Sequence, residues 1–275
     1  MLLGNDWLKF ELDEESALDI GSMKVDGVEM APGDAVPDDG DPRILRAVGG
    51  FLFTCGPDHI RHPEPVETMP AKLYPLHGSM SGTKPHITGE TKTADFHEVT
   101  ASIKVTVAQG GEAEIVRSWR FDLVTGDVSL EDRLINIGKS AFPPMLMYHM
   151  NINTHLFDDR TTLAGPSFEG GNIHWRIGDG DGHVFCNPAV AEDDKVTVRL
   201  GAIEAIGGKS LNVWYGADSI PHLQMWRNEA GHCNVLGIEP VTHPWKKRHE
   251  LDAMGLMSPL AAGAFRIYRM GFAFR

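Results

Sequence analysis

Along the apolar run Met147-Tyr148-His149-Met150-Asn151-Ile152-Asn153, polar side chains recur at every second position. In an extended chain that spacing puts His149, Asn151 and Asn153 on one face. Buried imidazole and amide groups need partners, so such a face implies either a polar pocket or an internal hydrogen-bond network. A second run, Gly237-Ile238-Glu239-Pro240-Val241-Thr242-His243-Pro244-Trp245, ends an apolar strand on a carboxylate, and two prolines stiffen the loop after it. Desolvation there would raise the pKa of Glu239 and suit it to proton abstraction near neutral pH. A neighbouring arginine would lower it and make a structural ion pair.

Further candidates lie upstream. Glycines bracket the apolar run Gly49-Gly50-Phe51-Leu52-Phe53-Thr54-Cys55-Gly56, followed by His59, and Tyr74-Pro75-Leu76-His77-Gly78-Ser79 sets an imidazole at a loop mouth. Arg46 precedes the glycines and is either a substrate clamp or a surface charge. In Leu223-Gln224-Met225-Trp226-Arg227-Asn228, Gln224, Trp226 and Asn228 alternate, a combination able to stack on a sugar face and bond its hydroxyls, or to pack in a core.

The elements that must position these residues read as β. Segments alternate at period two and are broken about every ten residues by turn formers, as in sandwiches and barrels, and helix is scarce. The clearest hairpin spans 114–136: Ile115, Arg117, Trp119 and Phe121 alternate, Thr125-Gly126-Asp127 turns the chain, and Val128, Leu130 and Leu134 resume the stripe. Further strands are expected over 101–108, 195–200, 211–215, 223–227, 235–239 and 264–274. Residues 31–42, rich in Pro, Gly and Asp, read as a solvated loop, and 169–182, with Gly170-Gly171 and Gly178 to Gly182, reads as a plain turn lacking the EF-hand spacing and terminal Glu.

Composition narrows the function. With 42% hydrophobic and 23% charged residues over 275 positions, the chain can bury a large core, and one all-β domain spanning 1–275 is expected. A formal charge of -13 opposes nucleic acid and anionic membrane as partners. Cys55, Cys186 and Cys233 are odd in number and form no CxxC pair, which fits a reducing cytoplasm. No leader-like N-terminus and no apolar stretch long enough for a membrane span is read in the sequence.

In order and spacing these residues resemble the aldose 1-epimerase, or galactose mutarotase-like, superfamily, in a divergent bacterial branch, over nearly the whole chain. The family's His-x-x-Phe-Asn element looks like His149 to Asn153, its Leu-His-Gly-Gly like Leu76 to Ser79, and its late Glu before a Pro-containing loop like Glu239 to Pro244. The resemblance implies a large antiparallel β-sandwich with a sugar on its concave face. It implies Glu239 as the base on the anomeric hydroxyl and a protonated His149 as the acid on the ring oxygen, so that the ring opens and recloses without metal or redox cofactor. His77 would orient the sugar, and Arg46, Asn151, Asn153, Gln224 and Trp226 would complete the site.

Ile152, Ser79 and Pro240 depart from the family pattern and leave the sugar open. Arg46, Arg61, Arg227 and the run Lys246-Lys247-Arg248 would suit an acidic or modified sugar, or simply form a solvated face. Two other functions fit the same residues. One is a carbohydrate-binding or regulatory module without turnover. The other is a metal-dependent isomerase or lyase using His149, His155, His77 and His59 with Glu239.

Overall fold

The computed structural model describes Met1–Arg275. Two nine-stranded antiparallel sheets carry the chain. The first runs in spatial order Leu2–Gly4, Leu8–Leu12, Ile20–Val25, Leu52–Cys55, Met147–Asn153, Val235–Val241, His222–Asn228 and Gly182–Pro188, with Val28–Glu29 paired to Ile20–Val25. The second runs Asn172–His174, Thr162–Ala164, Lys195–Ile203, Lys209–Gly216, Phe265–Phe274, Val128–Asn136, Glu112–Asp122, Phe96–Thr106 and His86–Lys92. A two-stranded ribbon, Pro65–Val66 with Met69–Leu73, stands apart. The α-helices are Pro42–Val48 and Arg248–Ala253, in keeping with a sequence poor in helical periodicity.

Alternation explains the sandwich. In Glu112–Asp122 the residues Ala113, Ile115, Arg117, Trp119 and Phe121 are buried, and the hairpin partner supplies Val128, Leu130 and Leu134 to the same layer. Gly126 makes the turn at φ 77°. The two sheets meet through edge-to-face rings, Phe10 on Phe121 at 5.5 Å and Phe51 on Phe272 at 5.4 Å, and through Trp119 Nε1, which donates to the Leu18 carbonyl at 2.8 Å. One cluster of 53 buried residues fills the space between them.

A charged network lies inside this layer. Arg117 donates to both Asp132 oxygens at 2.8 and 2.7 Å, to Asp19 at 2.6 Å and to Thr54 Oγ1 at 2.7 Å, and Tyr148 Oη donates to Asp132 at 2.8 Å. All five residues are buried. The flanking carboxylates and the fork geometry hold the Arg117 guanidinium charged despite its burial.

The central strands of the first sheet have two buried faces. Tyr148, Met150 and Ile152 point into the large inter-sheet cluster, as do Leu52, Leu236 and Ile238. Their alternates Phe53, Cys55, Met147, Val235 and Val241 belong to a separate 12-residue cluster on the opposite face. That second face carries the candidate site. The 31–42 segment is the largely solvated loop expected, with Gly33, Asp34 and Asp38 to Gly40 exposed, and it is anchored against this face through its middle. Val36 is buried, its carbonyl lies 3.0 Å from His232 Nε2, and the Ala35 carbonyl accepts from Asn234 N at 2.8 Å.

Candidate active site

Strand register assembles a row of side chains across the first sheet. Phe53 lies opposite His149, Gln224 opposite Glu239, and Cys186 opposite Gln224. Above this row is a cavity of about 350 Å³, within the range of small-molecule sites. His77, His149, Gln224, Trp226 and Glu239, all singled out in the sequence, line it, together with Arg61.

Glu239 and His149 form its floor. His149 Nε2 lies 3.2 Å from Glu239 Oε1, with the side chains 6% and 0% exposed. Oε1 has no hydrogen-bond partner, and neither has His149 Nδ1. Glu239 Oε2 accepts from Gln224 Nε2. Gly237 makes room for this carboxylate, since a Cβ there would stand 2.5 Å from Oε1 and 3.3 Å from Trp226 Cβ. The His149 ring stacks on Phe53 at 4.8 Å and meets His77 and Trp226 edge-on at 5.8 and 5.5 Å.

Burial sets the protonation of this pair. Desolvation raises the Glu239 carboxyl to about 7, against the lowering effects of the Gln224 hydrogen bond and the Arg61 charge. Desolvation also pushes His149 down to about 3, against the raising effect of the neighbouring Asn151 side chain. The expected cationic imidazole is therefore not the form that burial favours, because each group resists charge and their common proton sits on the carboxyl. His77 is likewise held at about 3 by burial and the neighbouring His149. Its Nδ1 lies 3.2 Å from the Ile60 carbonyl, a bond the ring can only donate, so the neutral ring keeps Nε2 as an acceptor. The neutral ring can thus accept a sugar hydroxyl at Nε2, while its one N–H is engaged by the Ile60 carbonyl.

His77 and its loop are fixed by backbone geometry. His77 has φ 55° and Gly78 φ 85°. A Cβ at Gly78 would lie 2.2 Å from the His59 carbonyl and 2.6 Å from that of Gly56, so only glycine lets the two loops cross there.

Three expected sugar contacts lie elsewhere. Arg46, on the Pro42–Val48 helix, has a 61% exposed side chain, pairs with Asp13 at 2.7 Å and faces a separate open groove. Asn151 donates to the Val48 and Gly50 carbonyls at 3.0 and 3.3 Å, tying the helix exit to the sheet. Asn153 accepts from His155 N at 3.0 Å and caps a 3-10 turn. Period two put both amides on the correct face, yet backbone groups had already engaged them. Arg227, Arg248 and Lys246 are also turned to partners of their own, Glu229, Glu67 and Glu250.

The arginine that does reach the cavity is Arg61. It is 8% exposed, donates from Nη2 to Gln224 Oε1 at 3.1 Å and to the His243 carbonyl at 3.3 Å, and lies 4.9 Å from the Trp245 ring. Its partners are 163 and 182 residues away in sequence, so local pattern gave no sign of its position. Asp39, Asn228 and Trp245 also line the cavity, Trp245 at its rim with 45% exposure.

No group of three or more His, Cys, Asp and Glu side chains converges as a metal site would require. Of the ligands that reading needs, His155 is exposed, and His59 is stacked on Tyr74 with Nε2 against the His62 carbonyl at 2.6 Å.

A twisted antiparallel sandwich with a polar cavity on one sheet's outer face is the galactose mutarotase-like architecture. Solved structures share it. A Klebsiella pneumoniae protein provisionally named aldose 1-epimerase superposes with TM-score 0.80 at 16% identity, over 97% of this chain and 76% of its own. A galactose mutarotase-like protein from Lactobacillus casei gives 0.66 at 16% identity, over 100% and 99%. Another from Clostridium acetobutylicum gives 0.68 at 12% identity, over 100% and 94%. No curated protein matches the sequence. Residues 5–170 match the model for a domain of unknown function, DUF4432, and the chain belongs to that family.

Proposed function

We propose that the protein interconverts the anomers of a free sugar, with Glu239 and His149 as the proton-transfer pair. The observation that carries this reading is the pair itself: a carboxylate oxygen without a hydrogen-bond partner, 3.2 Å from an imidazole, on the floor of a cavity of monosaccharide dimensions.

The reaction conserves one proton. Glu239 Oε1 takes the proton of the anomeric hydroxyl while His149 Nε2 delivers one to the ring oxygen. The bond between the anomeric carbon and the ring oxygen breaks as the carbonyl forms, the carbonyl turns over, and the steps reverse. The pair must therefore hold one proton in total. Burial rests that proton on Glu239, and its passage to His149 needs only the 3.2 Å between them. His77 accepts a sugar hydroxyl through Nε2, and Trp226 and Trp245 offer apolar faces to the ring.

The test is saturation-transfer NMR between anomeric protons over a panel of neutral and acidic aldoses. Accelerated exchange for one of them supports the reading and identifies its substrate class. Line broadening without acceleration identifies a carbohydrate-binding module instead.

A further inference from the structure

We propose that Gln224 is a positioning residue for Glu239: its amide, held one way round by Arg61, fixes Oε2 and leaves Oε1 as the oxygen that exchanges protons. This deepens the reading of Glu239 as a base and rests on it.

Gln224 had been expected to contact the sugar, but its amide is engaged at both ends. Oε1 accepts from Arg61 Nη2 at 3.1 Å, and Nε2 donates to Glu239 Oε2 while lying 3.5 Å from Met147 Sδ. The residue is 3% exposed. Reversing the amide would set its NH2 against a guanidinium, which has no acceptor, and its carbonyl against the Glu239 carboxyl. Arg61 thereby decides which end faces Glu239.

Arg61 is free for this task. Arg117, Arg227 and Arg248, the other buried arginines, each bind a carboxylate directly, whereas Arg61 makes no ion pair and meets an amide oxygen and a backbone carbonyl. Its Nε and Nη1 remain without partners. The consequence at Glu239 is asymmetry. Oε2 is bonded, while Oε1, lodged over Gly237, has only His149 Nε2 nearby. The other titratable groups about the pair are His62, His77, Cys55 and Cys186, with Asp39 at the rim, and none of them bonds to Glu239.

The Glu239 carboxyl can be followed by carbon-13 NMR during pH titration of the full chain without sugar. Gln224→Met removes the donor and is expected to raise the Glu239 midpoint by about one pH unit, tenfold in its ionisation constant, the scale of a hydrogen bond to a charged group. Gln224→Glu, close to isosteric, should raise it too by placing a second carboxyl alongside. Arg61→Met should raise it, and in the double variant with Gln224→Met the two rises should be less than additive. A purely structural Gln224 would lower the melting temperature and leave the midpoint where it is. An unchanged midpoint in whichever Gln224 variant folds, or strictly additive shifts, would overturn the proposal. The titration involves no turnover, so failure of the mutarotase reading appears separately, as wild-type protein that accelerates no sugar.

Discussion

Glu239 carries opposite consequences for stability and for turnover. Its pKa in the folded protein, about 7, lies above the ordinary 4.5, so the folded state keeps a proton that the unfolded chain releases, and stability is lost as pH rises from 4.5 through 7. Glu239→Gln should therefore stabilise the protein by on the order of 3 kcal/mol near pH 8 and hardly at all near pH 4, measured by urea unfolding at both. Turnover needs one proton on the Glu239–His149 pair, which is present between about 3 and about 7. The kcat/KM for anomer exchange should fall as pH rises through 7, and a rise through 7 would mean that ionised Glu239 acts with some other acid. Asn151 is a contrasting case. Its amide bonds two backbone carbonyls, so Asn151→Ala should cost about 1–3 kcal/mol in chemical denaturation.

At the scale of elements, alternation carried most of the prediction. The 114–136 hairpin comes from period two with a Thr-Gly-Asp turn at Gly126, whereas the strand that carries Glu239 comes from an apolar run and is buried on both faces; the structure carries it past the expected end at Glu239 to Val241 and extends several other strands by two to five residues. Alternation also put His149, Asn151 and Asn153 on one face. It assigns a face and not a partner, which is why His149 meets the cavity while the two amides serve the backbone. Arg61 stands out in the sequence only as one of several basic residues suited to an acidic sugar, and its place over the cavity is hidden for the complementary reason: its loop has no period, and its contacts come from segments far along the chain. Arg117 falls on a correctly predicted core stripe, but nothing local reveals the carboxylates that receive it from other strands. Tyr148 joins this network next to His149, coupling the site's strand to the inter-sheet layer. Asp132→Ala would leave the buried Arg117 with Asp19 as its one remaining carboxylate and Tyr148 Oη without its acceptor, and should cost about 3–5 kcal/mol, seen as a drop in the denaturation midpoint.

At the scale of the whole molecule, acid stability is decided by neutral imidazoles. His59 and His243 are held down to about 4, and His77 and His149 to about 3, chiefly by burial. Each contributes stability that is complete above the unfolded value of 6.5 and lost as pH falls towards its folded value. The raised carboxyls of Asp19, Asp58 and Glu239 oppose this, but His222, also lowered by burial, and carboxyls held low by arginine partners, such as Glu67 and Glu229, add to the loss in acid. Net stability should fall by about 1–3 kcal/mol per pH unit below 6.5, with cooperative unfolding by circular dichroism before pH 3. An acid-stable fold would show that these rings are solvated. The same burial that makes the site acid-sensitive places its working proton on Glu239, so stability and mechanism answer to one physical cause.

The most direct measurement of the central claim is anomeric saturation transfer on wild type, Glu239→Gln and His149→Ala side by side, using the sugar that wild type accelerates. Both variants should lose about 100-fold or more of the catalysed exchange, the usual scale for removing a general acid or base, while still broadening the sugar resonances on binding. Exchange as fast in either variant as in wild type would contradict the assignment of the pair.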